Sequence, residues 1–124
     1  MIARSQASAV LVALALGGSA FAQTATLAPS AATLNSAGGT IAFGFNSTFS
    51  GTALFKLDVT IPAGWVYLSG TGEPGIKPFP GAENSLSWLD INPLPSPVQF
   101  SFTVSYPAGV SSATIARSEP TLVM

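Results

Sequence analysis

The sequence predicts an all-β fold, an antiparallel immunoglobulin-like β-sandwich of seven to eight strands that follows a cleaved signal peptide. The first observation is that several segments alternate apolar and polar residues with a period of two, as in a strand with one buried face. The second is that clusters of Gly, Pro, Ser and Asn separate these segments, and no stretch after residue 23 has the apolar spacing of a helix. Short strands and frequent turns in about 100 residues are typical of this sandwich.

The first 22 residues have the features of a secretory signal peptide. One cation, Arg4, precedes an apolar stretch over residues 7–16, and Ala20-Phe21-Ala22 has the small-x-small pattern of a cleavage site. The apolar stretch is too short for a membrane-spanning helix, which needs about 20 apolar residues. We therefore expect cleavage before Gln23 and export to the periplasm, the cell surface or the medium.

Three alternating segments predict the central strands of a single domain over residues 23–124. Large apolar side chains occupy every second position, and each contributes about 1.5–3 kcal/mol when it is fully buried. The predicted inward residues are Ile41, Phe43 and Phe45 in the first segment, Phe55, Leu57, Val59 and Ile61 in the second, and Val98, Phe100, Phe102, Val104 and Tyr106 in the third.

Weaker patterns predict the remaining strands, at residues 24–28, 65–69, 85–91, 113–116 and 121–123. Two of the predicted strands run into the same tripeptide, Pro62-Ala63-Gly64 and Pro107-Ala108-Gly109. Pro presets the first turn position and Gly tolerates a positive φ after it, so we interpret the pair as shared turn chemistry. A duplicated half-domain is the alternative interpretation.

Charge is scarce in the chain, at 7% of residues, compared with about 25% in average soluble domains. Lys56, Lys77 and Arg117 are the cations after residue 23, too few and too dispersed to neutralise a phosphate backbone or an anionic membrane surface. We expect no nucleic-acid partner and no membrane insertion after cleavage. The neutral polar surface suits contact with a protein at the cell envelope or with neutral polysaccharide.

The chain has no His and no Cys, which excludes Ser-His-Asp and Cys-His catalysis and thiolate metal sites. Asp58 lies on the outward face of a predicted strand, and Glu73 and Glu83 fall in a loop, where nothing desolvates them for acid-base work. Asp90 with Asn92 supplies only part of a calcium shell. We predict no catalytic residue, no metal site and no cofactor, and hence a protein that is not an enzyme.

The segment Gly70–Ser85 contains four Gly and three Pro and has no periodicity, and long loops of this kind are often functional. Trp65 and Tyr67 share a face of the short strand beside it. With Glu73 they are the candidate ligand-binding residues, since an exposed aromatic pair can stack on sugar rings. In sandwiches such aromatics more often belong to the core, which we expect for Trp65 and for Trp88.

These turns and aromatic residues resemble the small β-sandwich modules of large exported bacterial surface proteins, broadly the cohesin-like modules. The similarity covers residues 25–116 and implies a spacer or protein-interaction unit without catalytic residues. The motifs that carry it are Ile61-Pro62-Ala63-Gly64-Trp65, Ser69-Gly70-Thr71-Gly72-Glu73-Pro74, Pro80-Gly81, Leu86-Ser87-Trp88, Pro95-Ser96-Pro97-Val98 and Tyr106-Pro107-Ala108-Gly109.

Two functions follow as expectations. The first is a structural or protein-interaction module at the cell envelope. The second is a carbohydrate-binding module that uses Trp65, Tyr67 and the loop of residues 70–85.

Overall fold

The computed structural model describes residues 9–16, 24–31, 33–110, 112–118 and 121–123. These residues form an all-β structure of ten strands, and no helix occurs among them. The strands are β1 (Ala9–Leu16), β2 (Thr24–Pro29), β3 (Thr33–Leu34), β4 (Gly39–Thr48), β5 (Thr52–Thr60), β6 (Val66–Thr71), β7 (Ser85–Pro95), β8 (Val98–Tyr106), β9 (Ser112–Ser118) and β10 (Thr121–Val123).

The strands form two sheets that pack in the manner of a β-sandwich. The small sheet has four strands in the order β2-β4-β8-β6. The large sheet has six, in the order β10-β5-β9-β1-β3, with β7 also paired to β5. The pairings are antiparallel except for that between β1 and β9, which is parallel.

Alternation of residues along the strands places the core between the two sheets. The inward positions predicted for β4, β5 and β8 are all buried, and this part of the prediction is confirmed. Phe45 of the small sheet lies 5.7 Å from Phe55 of the large sheet between ring centres, and Trp88 lies 4.7 Å from Phe102. Interleaved aromatic rings therefore hold the two sheets together, each pair contributing about 0.5–1.5 kcal/mol beyond its buried area.

Nine strands follow residue 23 in the described part of the chain, where the sequence predicted seven to eight. The additional strand is β3, only two residues long. It forms because the chain crosses from the small sheet to the large sheet between residues 29 and 33, and Thr33 and Leu34 then pair with β1. A two-residue strand has no periodicity of its own, so no sequence pattern predicts it.

Both Pro-Ala-Gly segments form the predicted turns. Gly64 has φ of 88° and Gly109 has φ of 82°, in the left-handed region that favours glycine. The amide of Trp65 donates to the carbonyl of Pro62 at 3.1 Å, which closes the first turn.

The apolar part of the predicted signal peptide forms β1, which is paired along β9. The predicted cleavage site at Ala20-Phe21-Ala22 and the expected new terminus at Gln23 lie outside the described residues. None of the described segments is a helix long and apolar enough to cross a membrane.

Candidate functional site

The long segment predicted as a loop closes one side of the sandwich. Residues 72–84 leave β6 at the edge of the small sheet and return to β7 at the edge of the large sheet. The amides of Ile76 and Leu89 donate to each other's carbonyls at 2.8 and 2.9 Å, which attaches the loop to β7. The backbone carbonyl of Tyr67 accepts from the amide of Gly81 at 2.8 Å, and the amide of Tyr67 donates to the carbonyl of Ala82 at 2.9 Å. These two bonds attach the loop to β6. We call residues 72–84 the closing loop.

Glu73 is the buried carboxylate of the closing loop. Its Oε2 accepts a hydrogen bond from the Tyr67 hydroxyl at 2.6 Å and another from Trp88 Nε1 at 2.8 Å. Only 2% of its side-chain surface is exposed, whereas Lys77, whose Nζ lies 3.7 Å from Oε1, is 55% exposed. The carboxylate therefore joins the loop to one edge strand of each sheet, because Tyr67 belongs to β6 and Trp88 to β7.

Tyr67 stays a hydrogen-bond donor in this arrangement. Burial raises the pKa of its hydroxyl well above the ordinary value, and the hydrogen bond to Glu73 and the negative charge of Glu73 raise the pKa further. A phenol held in its neutral form donates to the carboxylate but supplies no phenolate at neutral pH. The arrangement therefore keeps Tyr67 as a neutral donor that joins β6 to the closing loop.

The three candidate ligand-binding residues do not form a single exposed surface. Tyr67 and Glu73 lie together, whereas Trp65 packs against Tyr106 with 5.3 Å between ring centres. Trp65 and Tyr67 are each only 1% exposed, so neither ring has a free face for a sugar. The core position expected for Trp65 and Trp88 is confirmed, and the exposed aromatic platform that the carbohydrate hypothesis requires is not formed by these rings.

Other carboxylates that the sequence singled out hold backbone or neighbouring side chains. Asp58 accepts from the Ser87 hydroxyl, and Lys56 Nζ lies 3.8 Å from its other oxygen. Asp90 accepts from the amides of Gly75 and Asn92 at 3.1 and 2.9 Å. Glu83 bridges to Val66 of β6 through its backbone. No group of three or more acidic residues that could hold a metal ion occurs within the described ranges.

An open depression of about 190 Å³ lies beside the closing loop. Glu73 and Asp90 contribute to its wall together with Pro74, Leu94 and Pro95. Gln99 also lines the depression, so its walls combine polar groups with the proline and leucine side chains.

Sequence reasoning missed an apolar patch on the outer face of the large sheet. Ile91 is 72% exposed and Ile76 is 49% exposed. Ile76 pairs with Leu89, and Leu89 and Ile91 are two residues apart on β7, so the three side chains share one face. We call Ile76, Leu89 and Ile91 the outer apolar patch. The sequence contained the pattern that predicts this patch. Leu86 and Trp88 occupy the inward positions of β7, and Leu89 and Ile91 occupy the alternate positions that face outward.

A scan against known protein families finds no match to this chain, and a search of curated proteins finds none either.

Proposed function

We propose that this chain is an exported, non-catalytic module with an immunoglobulin-like, broadly cohesin-like sandwich that acts structurally or binds another protein at the cell envelope. The observation that carries the proposal is how the side chains of the candidate site are used. Glu73 Oε2 accepts hydrogen bonds from Tyr67 and Trp88 inside the fold, and Asp58 and Asp90 hold their own neighbours. The buried Oε1 of Glu73 accepts no hydrogen bond within the described residues and has Lys77 Nζ at 3.7 Å. The groups from which catalysis would be built are thus engaged in stabilising the sandwich.

The outer apolar patch supports a role in protein binding. Exposed Ile side chains that share one face of a sheet favour contact with another protein, because burying them removes apolar area from water. Lys56 pairs with Leu89 on the same face and lies 3.8 Å from Asp58, so an ion pair borders the patch on this side.

Binding through the patch is tested with envelope proteins and two matched variants. The double variant Ile76→Ser with Ile91→Ser removes the patch, whereas Leu68→Ser removes an apolar residue that is 37% exposed on the small sheet. We expect saturable capture of an envelope protein by the parent and by Leu68→Ser, and loss of capture by the double variant at an unchanged melting temperature. Equal capture by all three proteins would contradict binding at the patch.

Export is tested separately by mass spectrometry of the protein recovered from the periplasm or the medium. We expect a chain that begins at Gln23, including a form lighter by one ammonia, because an N-terminal Gln cyclises. Recovery of the exported protein with residues 1–22 still attached would contradict cleavage.

The carbohydrate alternative is tested in the same preparation. The parent is expected to show no change of Trp emission with neutral polysaccharide, because both Trp rings are buried. A saturable emission change that Trp65→Ala abolishes without unfolding the domain would favour the carbohydrate-binding module instead.

A further inference from the structure

β1 lies between β9 and β3 in the large sheet and provides strand pairing to both. It pairs in parallel with β9 along seven residues, Val10–Leu16 with Ser112–Ser118. β9 pairs with β5 at only two positions, Val59 with Arg117 and Thr60 with Ala116. Among the described strands, β1 is also the partner of β3, through Ala9 with Leu34 and Val10 with Thr33. β1 therefore provides most of the pairing of β9 and the strand pairing of β3.

The segment that fills this position is the apolar part of the predicted export signal. If residues 1–22 are removed on export, β9 and β3 are left on either side of a gap one strand wide. Neighbouring strands lie about 4.7–4.9 Å apart, so the gap between β9 and β3 is roughly 10 Å across. Unpaired N–H and C=O groups along such a gap are a template for another strand. We call this gap the β9 slot.

We propose that the β9 slot of the exported chain binds an extended segment of a partner protein, added as a strand parallel to β9. The inference rests on the export in the proposed function and gives that function a mode of recognition, β-strand addition. The chemistry of the partner segment is that of the strand seated in the slot: about seven residues of Val, Leu and Ala without charge, because residues 9–16 read AVLVALAL.

The core beside the slot favours an apolar occupant. Leu34 of β3 and Ala113 and Ile115 of β9 are 3%, 8% and 0% exposed when the position is filled. An uncharged strand keeps these three side chains away from water, whereas a charge placed against them would be unpaired. Arg117, the next inward residue of β9, is 6% exposed and already donates to the carbonyls of Ser118 and Ala25.

A partner protein fits this position better than a second copy of the chain does. The alternating apolar strands of the exported residues are β4, β5 and β8, and each of them is already paired along its length inside a sheet. A second copy would have to open one of its own sheets to donate such a strand.

The experiment uses the full chain with a protease site inserted in the segment between β1 and β2. The protein has no cysteine, so single thiols report position without background. Thr114→Cys places a thiol on the exposed face of β9, opposite Val12 in the register. Ser87→Cys places a matched exposed thiol on β7, another strand at an edge of the large sheet.

After the protease cut, the probe is a labelled synthetic peptide of residues 9–16 that carries Val12→Cys. The peptide is supplied as its mixed disulfide with 2-thiopyridine. We expect it to displace the cut segment and to exchange with the thiol of Thr114→Cys, which joins peptide and protein by a disulfide and releases 2-thiopyridine, while its reaction with Ser87→Cys stays at background. A peptide that also carries Leu11→Pro and Ala13→Pro is expected to lose the reaction, because proline has no N–H for the ladder.

Equal reaction at both thiols, or equal reaction of the proline peptide, would overturn the proposal. A disulfide between two Thr114→Cys chains without peptide capture would assign the slot to a second copy and would also overturn it. The outcome is separable from that of the proposed function. Loss of capture by the Ile76→Ser, Ile91→Ser variant tests the outer apolar patch, which lies on the closing loop and β7 and not on β9.

Discussion

On one side of the molecule, the closing loop attaches to an edge strand of each sheet. Toward the opposite edge of the large sheet, the strand next to β9 is β1, which belongs to the segment with the export pattern. On the first side the domain supplies its own closure, with a buried carboxylate and backbone hydrogen bonds at β6 and β7. On the second side β9 has only two pairings with β5 once β1 is set aside. The comparison indicates that residues 23–124 complete the large sheet at β7 by themselves, whereas beside β9 the sheet is completed by β1.

The largest loss of stability is expected from substitution of Trp88, on the side of the molecule that the closing loop and β7 form. Its ring is fully buried against Phe102 and its Nε1 donates to Glu73, so Trp88→Ala removes packing and a hydrogen-bond donor together. We expect a loss of about 3–5 kcal/mol in the free energy of unfolding, measured in urea. Phe79→Ala is the matched control, since Phe79 is 73% exposed in the same loop and its loss is expected to cost under about 0.5 kcal/mol. Similar urea midpoints for the two variants would show that the aromatic core is not the source of stability here.

Glu73 comes second. In Glu73→Ala the buried donors of Tyr67 and Trp88 lose their acceptor, at a cost of about 1–3 kcal/mol for each donor left without an acceptor. Glu73→Gln keeps one acceptor oxygen, so its loss of stability is expected to be smaller. Urea unfolding of the three proteins gives the order, and an alanine variant as stable as the parent would contradict a structural role for the carboxylate.

A substitution at Gly70 tests the packing around Glu73 without changing any charge. A Cβ at Gly70 would overlap the carboxyl group of Glu73 and lie 2.5 Å from the carbonyl oxygen of Ser101. We expect Gly70→Ala to cost about 1–3 kcal/mol, because a backbone carbonyl cannot move aside cheaply. Gly44→Ala is the control, since nothing lies within 4 Å of the added Cβ there. Equal melting temperatures would mean that the closing loop tolerates displacement.

The smallest effect is a pH dependence that comes from Tyr67. Its pKa in the folded protein is raised above the unfolded value of about 10. Above that pH the unfolded chain releases the proton while the folded chain keeps it, so the free energy of unfolding falls as pH rises. The contribution is fully present below about pH 10 and is lost above it. Urea unfolding between neutral and alkaline pH is expected to show this decline, and to show less of it in Tyr67→Phe. An identical decline in the two proteins would assign it to another group.

Much of the sandwich could be predicted from local pattern. The alternation in residues 98–106 predicts which side chains of β8 are buried, because the two faces of a strand alternate strictly. The Pro-Ala-Gly turns could be predicted from the dihedral preferences of Pro and Gly. Both features are determined by residues close together in the chain.

The candidate site could be predicted only in part. Tyr67 and Glu73 could be singled out as neighbours of the long loop, but Trp88, 15 residues after Glu73, completes the cluster through the fold. The closing loop attaches to both sheets through backbone groups, which leave no trace in residue type. The pairing of β1 with β9 joins residues about a hundred positions apart, beyond any periodic signal.

Hydrogen exchange along β9, measured with and without residues 1–22, tests the central claim most directly. The measurement compares the amides of residues 112–118 with those of β8, first in the full chain and then in the chain that begins at Gln23. We predict that removal of residues 1–22 makes the β9 amides exchange much faster while the β8 amides stay protected, and that the peptide of residues 9–16 restores protection to β9. Protection of β9 that is unchanged by removal of residues 1–22 would contradict the account, because the domain would then be complete on both sides without β1.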